Sequence, residues 1–330
     1  MKIVFNCLLI FILSACGSFP GKATQEPVTL KVQLIPYMSN APLYFAQEEG
    51  YFQEQGLNVE FLQLQGGAAF VSLIQGEIDV AASFLSSTTF SAVQKGETVK
   101  VVADKGYIAP EGCVVNGLLA RSSLVESGEL NDVEDLVGRK VKYDKASVQA
   151  YFLDTLLHAA DLSLADVEQV DFNSPPILLD AFSTGAVDVA AESEPWITRN
   201  LNTSNSVLWK DFKDLIPDFQ FAYLIYGPTL LEKNQDAGKR FMVAYLKAVR
   251  QYNEGKTERN IQLMETFTGL DKTMLGQICW PTFRQDLLIN TQSVLDFQEW
   301  AIQNGLLESA VKIEEVWNPS FAAYALSQVK

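Results

Sequence analysis

The chain has 330 residues, 48% of them hydrophobic and 20% charged, with a formal net charge of −15. That length exceeds the size at which one hydrophobic core usually stops growing, so two domains are expected, and the composition excludes a disordered chain. The acidic balance, with no stripe of Lys and Arg, excludes a nucleic-acid binder, which needs clustered cations against phosphate.

Lys2 precedes an apolar run over residues 3–12, broken only by Asn6, and "LSAC" follows at 13–16. Ten positions are too few to cross a bilayer as a helix, and they suit the apolar region of an export signal. The "LSAC" ending resembles a bacterial lipoprotein box. The resemblance implies a signal peptide over 1–15, a diacylated Cys16 as the mature N terminus, and a tether over 16–27. An ordinary secretory signal cut near Ala15 is the alternative. The mature protein is then expected outside the cytoplasm, held to a membrane by acyl chains rather than by a helix. Cys113 and Cys279 would face an oxidising compartment, where a disulfide is allowed; two small buried apolar residues is the favoured reading.

The periodicity predicts a strand over 28–36 from its alternation, then a helix over 41–56 with Pro42 in its first turn. A strand over 57–65, a helix opened by Gly66 and Gly67, a strand over 78–83, a helix over 88–96 and a strand over 99–104 follow. This β-α-β-α-β-α-β order predicts a parallel sheet covered by helices. The rhythm restarts with a strand over 138–144, a helix over 147–162, a strand over 167–172, a helix over 174–185, a strand over 186–192 and a helix over 195–201. A strand over 219–227 and a long amphipathic helix over 235–255 come next, and the text after Glu258 is mostly helical.

One phrase occurs twice. "LIQGEIDVAAS" carries Gly76 and Asp79, and "FSTGAVDVAAE" carries Gly185 and Asp188, 109 positions on. In each copy a helix ends at a Gly that permits a left-handed cap, and the chain enters a buried strand. Two α/β lobes of similar plan are expected, with both aspartates as turn or capping carboxylates. Together with "APLYFAQEEGYFQEQGLNVEF", "GGAAFVSLIQGEIDVA", "LVGRKVKYD" and "LLDAFSTGAVDVAAESEPW", the order and spacing of these motifs resemble a known family. It is the extracytoplasmic solute-binding proteins of ABC importers, in the branch of sulfonate, taurine, nitrate and thiamine-pyrimidine binders (NMT1/THI5-like). The resemblance implies a two-lobed α/β fold of the periplasmic-binding-protein type (type II) with two crossover strands, placed in "VVNGLLARSS" and "FQFAYLIYG". It further implies lobe 1 over 28–119 plus 224–330, lobe 2 over 120–223, ligand capture by hinge closure, and delivery by a monomer to a permease with its ATPase.

In open α/β sheets ligands bind beyond the carboxyl ends of strands. That rule selects Tyr37, Ser39 and Asn40 after the first strand, Gly66 and Gly67 after the second, and Ser83, Ser86, Ser87 and Thr88 after the third. Lobe 2 offers Tyr143, Asp144 and Ser147, then Glu192, Glu194 and Trp196. Asn40, Ser87 and Ser147 read equally well as plain helix caps. The loops 36–44, 65–69 and 83–89 hold no Lys or Arg, and lobe 2 adds two glutamates. An acidic, aromatic rim suits a flat neutral or amine-bearing heterocycle, a thiamine pyrimidine or a flavin such as riboflavin. Small anions held by helix N termini are the alternative. The single histidine, His158, no metal-ligand spacing and no nucleophile elbow or phosphate loop speak against an enzyme. A pyrimidine-synthesis relative of the fold relies on histidine and iron, and a ligand sensor docking on a membrane receptor is a third reading. No cofactor or metal is expected.

Overall fold

The computed structural model describes residues 26–64, 66–172, 176–203 and 205–329. The expected signal peptide over 1–15, Cys16 and most of the tether lie outside the described residues. Among the described residues the strands, in chain order, are β1 (Val28–Gln33), β2 (Leu57–Leu62), β3 (Val80–Phe84), β4 (Lys100–Tyr107) and β5 (Asn116–Arg121). The rest are β6 (Lys140–Lys142), β7 (Glu168–Val170), β8 (Val189–Ser193), β9 (Ser206–Asp211) and β10 (Gln220–Tyr226). They form two five-stranded sheets, ordered β2-β1-β3-β10-β4 and β7-β6-β8-β5-β9.

Neither sheet is purely parallel, contrary to the expectation from the β-α rhythm. β10 runs antiparallel to β3 and β4, and β5 runs antiparallel to β8 and β9. The antiparallel member of each sheet is the first strand laid down after the chain changes lobe. β10 is buried at all seven positions, as a central strand covered on both faces must be. The alternation read in β1 is real: Thr29 and Lys31 face solvent while Leu30 and Val32 are in the core. The helix expected over 41–56 is two helices, Ala41–Glu48 and Tyr51–Glu54, because Gly50 adopts φ 74° between them.

The repeated phrase builds the same joint in both lobes. Gly76 (φ 72°) and Gly185 (φ 71°) end their helices in the left-handed region. The Asp79 N–H donates to Lys31 O at 2.8 Å, and its Oδ2 accepts the Lys31 N–H at 2.8 Å. The Asp188 N–H donates to Lys140 O at 2.9 Å, and its Oδ2 accepts the Lys140 N–H at 3.1 Å. Each aspartate thus clips the new strand to its parallel neighbour with a ring of two bonds. Asp188 also pairs with Arg121 at 2.6 Å, and among the described residues Asp79 has no such ion pair.

The chain crosses between the sheets at 108–115 and 212–219, a few residues before the stretches expected to do so. Residues 116–119, expected in lobe 1, belong to the second sheet, and 220–223, expected in lobe 2, belong to the first. The two crossovers bond to each other, Ile108 N–H to Phe219 O at 2.8 Å and Asp218 N–H to Ile108 O at 2.7 Å. Cys113, in the first crossover, is disulfide-bonded to Cys279, which corrects the reading of both as free buried residues. The helix Gln235–Tyr252 packs Phe241, Tyr245 and Tyr252 against lobe 1, each buried aromatic contributing about 1.5–3 kcal/mol. Among the described residues no helix is long and apolar enough to cross a membrane.

Candidate ligand-binding site

The C-terminal ends of β1, β3, β6 and β8 face one cavity of about 510 Å³ between the lobes. Of the residues selected from the sequence, Tyr37, Asn40, Gly67, Ser83 and Ser86 line it from lobe 1, with Thr88 beside them. Asp144, Ser147 and Glu192 line it from lobe 2. Gly66 begins the helix Gly66–Gln75 next to Gly67. Ser147 is also a true helix cap, its Oγ accepting the Gln149 N–H at 3.1 Å, whereas the Asn40 amide donates to Ile35 O at 2.8 Å and caps nothing.

Five selected residues lie off the cavity wall, among them Ser39, whose hydroxyl accepts from Lys105 at 3.1 Å. Ser87 joins the lobes instead: its N–H and hydroxyl both donate to Ala146 O, at 2.8 and 3.3 Å. With Val148 N–H to Leu85 O at 2.9 Å, these bonds form a backbone clasp over one side of the cleft. Glu194 is buried and spends its carboxylate on the Thr198 N–H (3.0 Å) and hydroxyl (2.8 Å), while its carbonyl accepts the Met38 N–H across the cleft at 3.1 Å. Burial raises its carboxyl to about 7, against the lowering effect of the Thr198 bonds. Trp196 is buried with Arg199 over its ring at 5.2 Å. Tyr143 faces a separate groove with Trp300.

The sequence reading missed three groups that set the chemistry. Gln33 and Lys142 are the last residues of β1 and β6, just inside the strands whose loops were searched. Asn116 is the first residue of β5; because β5 is antiparallel, its start lies on the rim where the parallel strands end. A rule keyed to strand C termini passes over such a residue.

At the lobe 2 end, Lys142 Nζ donates to Glu192 Oε1 at 2.7 Å, with the Glu192 side chain fully buried. Among the described residues Glu192 Oε2 has no partner, and neither has Asn116 Nδ2, while Asn116 Oδ1 accepts the Ser193 hydroxyl. Asn116 and Glu192 sit on paired strands, Asn116 opposite Ser193 and Gly117 opposite Glu192. Both residues line the cavity, and a buried acceptor and a buried donor left without partners are costly unless a guest satisfies them. At the other end Tyr37 meets Phe84 edge-on, 5.1 Å between centroids at 88°. Burial, and secondarily Glu192, push the Tyr37 phenol far up, so it remains a neutral donor. Among the described residues no cluster of potential metal ligands occurs.

Two mixed α/β lobes, joined by paired crossovers and enclosing a polar-aromatic cavity, define the fold of solute-binding proteins. Comparison with known proteins narrows this. The NMT1/THI5-like family matches residues 38–254, and the chain belongs to that family, as a solute-binding protein of ABC importers. It is 23% identical over 320 residues to a Haemophilus influenzae protein named for thiamine biosynthesis, covering 92% of this chain and 95% of that one. It is 24% identical over 270 residues to the formylaminopyrimidine-binding protein of Halalkalibacterium halodurans, covering 78% and 76%. Among solved structures, the ligand-binding component of an ABC-type import system from Staphylococcus aureus superposes with a TM-score of 0.75 at 16% identity, over 90% of this chain and 99% of that one. The nitrate-binding protein NrtA from Synechocystis gives 0.73 at 16% identity, over 92% and 90%.

Proposed function

We propose that the protein captures a small, flat, amine-bearing heterocycle of the thiamine-pyrimidine type and hands it, lobes closed, to a permease driven by its ATPase. The observation that carries this reading is two buried groups of cavity-lining residues that have no partner among the described residues, Glu192 Oε2 as acceptor and Asn116 Nδ2 as donor. An aminopyrimidine offers both complements, amine N–H donors for the carboxylate and ring-nitrogen acceptors for the amide. Tyr37 and Phe84 supply aromatic surface for the ring. The formylaminopyrimidine binder and the thiamine-biosynthesis relative support the same class. A cavity of about 510 Å³ is in the range of small-molecule sites and large for a nitrate ion.

The anion reading has one observation in its favour. The helices Gly66–Gln75, Ser87–Gln94 and Val148–His158 all begin at the cleft, and helix N termini attract negative charge. Lys142, however, is already neutralised by Glu192. A calorimetric and thermal-shift panel of formylaminopyrimidine, riboflavin, taurine, an alkanesulfonate and nitrate separates the two. The pyrimidine is expected to bind and raise the melting temperature; a response to the anions alone overturns the ring reading and leaves the fold untouched.

Cys16 is proposed as the acylated anchor of an extracytoplasmic lipoprotein, on the strength of the "LSAC" box. A Cys16→Ala chain is expected in the soluble fraction of expressing cells, and its retention on membranes refutes the anchor.

A further inference from the structure

We propose that Lys105 is a positioning residue of this cavity, whose buried ammonium acts through Asn40 and Phe84 to favour ligands presenting an electron-rich or anionic group to the lobe 1 end. The inference rests on the 510 Å³ cavity being the ligand site and deepens that reading. Lys105 lies in β4, is 0% exposed, and was not among the residues that strand-end reasoning selects. Its Nζ donates to Asn40 Oδ1 at 2.9 Å and to Ser39 Oγ at 3.1 Å, and sits 4.9 Å from the centre of the Phe84 ring. Asn40 and Phe84 are both cavity wall. The ammonium therefore stands directly behind the lobe 1 surface that a guest touches.

Among the described residues no carboxylate forms an ion pair with it. Asp104, its neighbour on β4, is committed elsewhere: Oδ1 accepts from the Gly106 N–H (2.8 Å) and Gln220 Nε2 (2.6 Å), and Oδ2 accepts the Arg284 N–H (2.8 Å). A buried ammonium with only neutral acceptors is an expensive arrangement, and a Met of similar length would fill the same space at less cost. What the charge adds is field. It polarises the Asn40 amide, and it draws density from the Phe84 face turned toward it, so electron-rich groups on the cavity side are stabilised.

Burial lowers the Lys105 ammonium from its ordinary value to about 7, with Asp104 opposing that shift. The titratable and charged groups on the elements around it are Asp104 on its own strand and Arg284 behind Asp104. Tyr37 stands in the turn it bonds, Tyr245 donates to Asp104 O, and Glu194 of lobe 2 has its carbonyl on Met38. A guest that stabilises the charged form is bound with uptake of a proton near neutrality, and its affinity falls as pH rises through about 7.

The test compares wild type with Lys105→Met. Isothermal calorimetry is run at pH 6 and pH 9 with formylaminopyrimidine and with an alkanesulfonate, each in two buffers of different ionisation enthalpy. Wild type is expected to bind its guest on the order of tenfold tighter at pH 6 than at pH 9, with proton uptake at intermediate pH. Lys105→Met should retain its melting temperature, bind on the order of tenfold more weakly at pH 6, and lose that part of the pH dependence. Glu194 titrates in the same range but is present in both proteins, so the difference between them isolates Lys105. A ligand-free arm follows the Asn40 side-chain amide by nuclear magnetic resonance from pH 6 to 9, expecting a titration in wild type that Lys105→Met abolishes. Equal affinities and pH profiles in the two proteins, or an Asn40 amide that does not titrate, overturn the proposal. Failure of both probes to bind wild type refutes the heterocycle reading alone, and the Asn40 titration still decides the role of Lys105.

Discussion

Glu192→Gln tests the ligand class, because the two readings predict opposite signs. Glu192 divides its labour: Oε1 takes the Lys142 ammonium at 2.7 Å, and Oε2 is buried and has no partner among the described residues. The amide is nearly isosteric. Its oxygen keeps the Lys142 bond, and its nitrogen replaces Oε2, putting a donor where the guest's amine needs an acceptor. The loss is one charge-assisted bond, about 1.5–3 kcal/mol, which is about 10- to 150-fold in Kd. An anion, in contrast, gains from removal of a carboxylate beside it while Lys142 stays, so its affinity should rise. Calorimetry with formylaminopyrimidine and an alkanesulfonate at pH 7 reads both signs, with melting curves to confirm the fold. Pyrimidine affinity unchanged within about twofold would mean that Oε2 does not meet the guest, and the edge-reading argument would fail with it.

Three further outcomes follow from particular bonds. Val148→Pro removes the N–H that reaches Leu85 O at 2.9 Å, at the first position of a helix where Pro is tolerated and after an extended Ser147 (φ −110°, ψ 174°). Small-angle scattering should show a more open molecule, with ligand affinity several-fold weaker and the melting temperature within a few degrees of wild type; an unchanged envelope and affinity would show that the clasp does not govern closure. Replacing Cys113 and Cys279 by Ser opens a loop of 166 residues, for which chain entropy gives about 5 kcal/mol of lost stability by denaturant titration; a loss under about 1 kcal/mol would refute that account. Glu194, raised from 4.5 to about 7 by burial, makes folding bind a proton. Stability should therefore decline by roughly 2–4 kcal/mol as pH rises from about 4.5 to 7, and Glu194→Gln should flatten the decline; equal slopes would exclude this group as its source.

The repeat was the most legible feature of the sequence because it encodes backbone geometry. A left-handed Gly and an aspartate that clips two strands leave a fixed spacing in the text, and Gly76–Asp79 and Gly185–Asp188 are that spacing twice. Strand-end residues such as Tyr37, Ser86 and Glu192 were legible for the same reason. Asn116 was not, since nothing local tells β5 to run antiparallel; its direction is set by the crossover that delivers it. Lys142 was read as a strand residue and Lys105 fell just past the strand expected over 99–104, and the absence of cations from the loops hid two ammonium groups placed at or behind the cavity wall. The Cys113–Cys279 pair depends on a loop from the C-terminal part of lobe 1 meeting the first crossover, a tertiary event with no local mark.

The two copies of the phrase diverge immediately after the shared joint, and on the proposed reading that divergence orients the guest. After β3 the chain reads Ser86, Ser87, Thr88, neutral hydroxyls at a helix start; at the end of β8 it reads Glu192, Ser193, Glu194, with one carboxylate partly unsatisfied. Lobe 1 thus offers helix N termini backed by the Lys105 ammonium, and lobe 2 offers an acceptor backed by a neutralised lysine. Opposite signs of field from the two ends favour a dipolar guest lying across the cleft, amine toward Glu192 and electron-rich substituent toward Asn40. Each lobe alone then holds only half of the dipole. On the proposed reading the full interaction needs both lobes together, and occupancy is thereby coupled to the closed form.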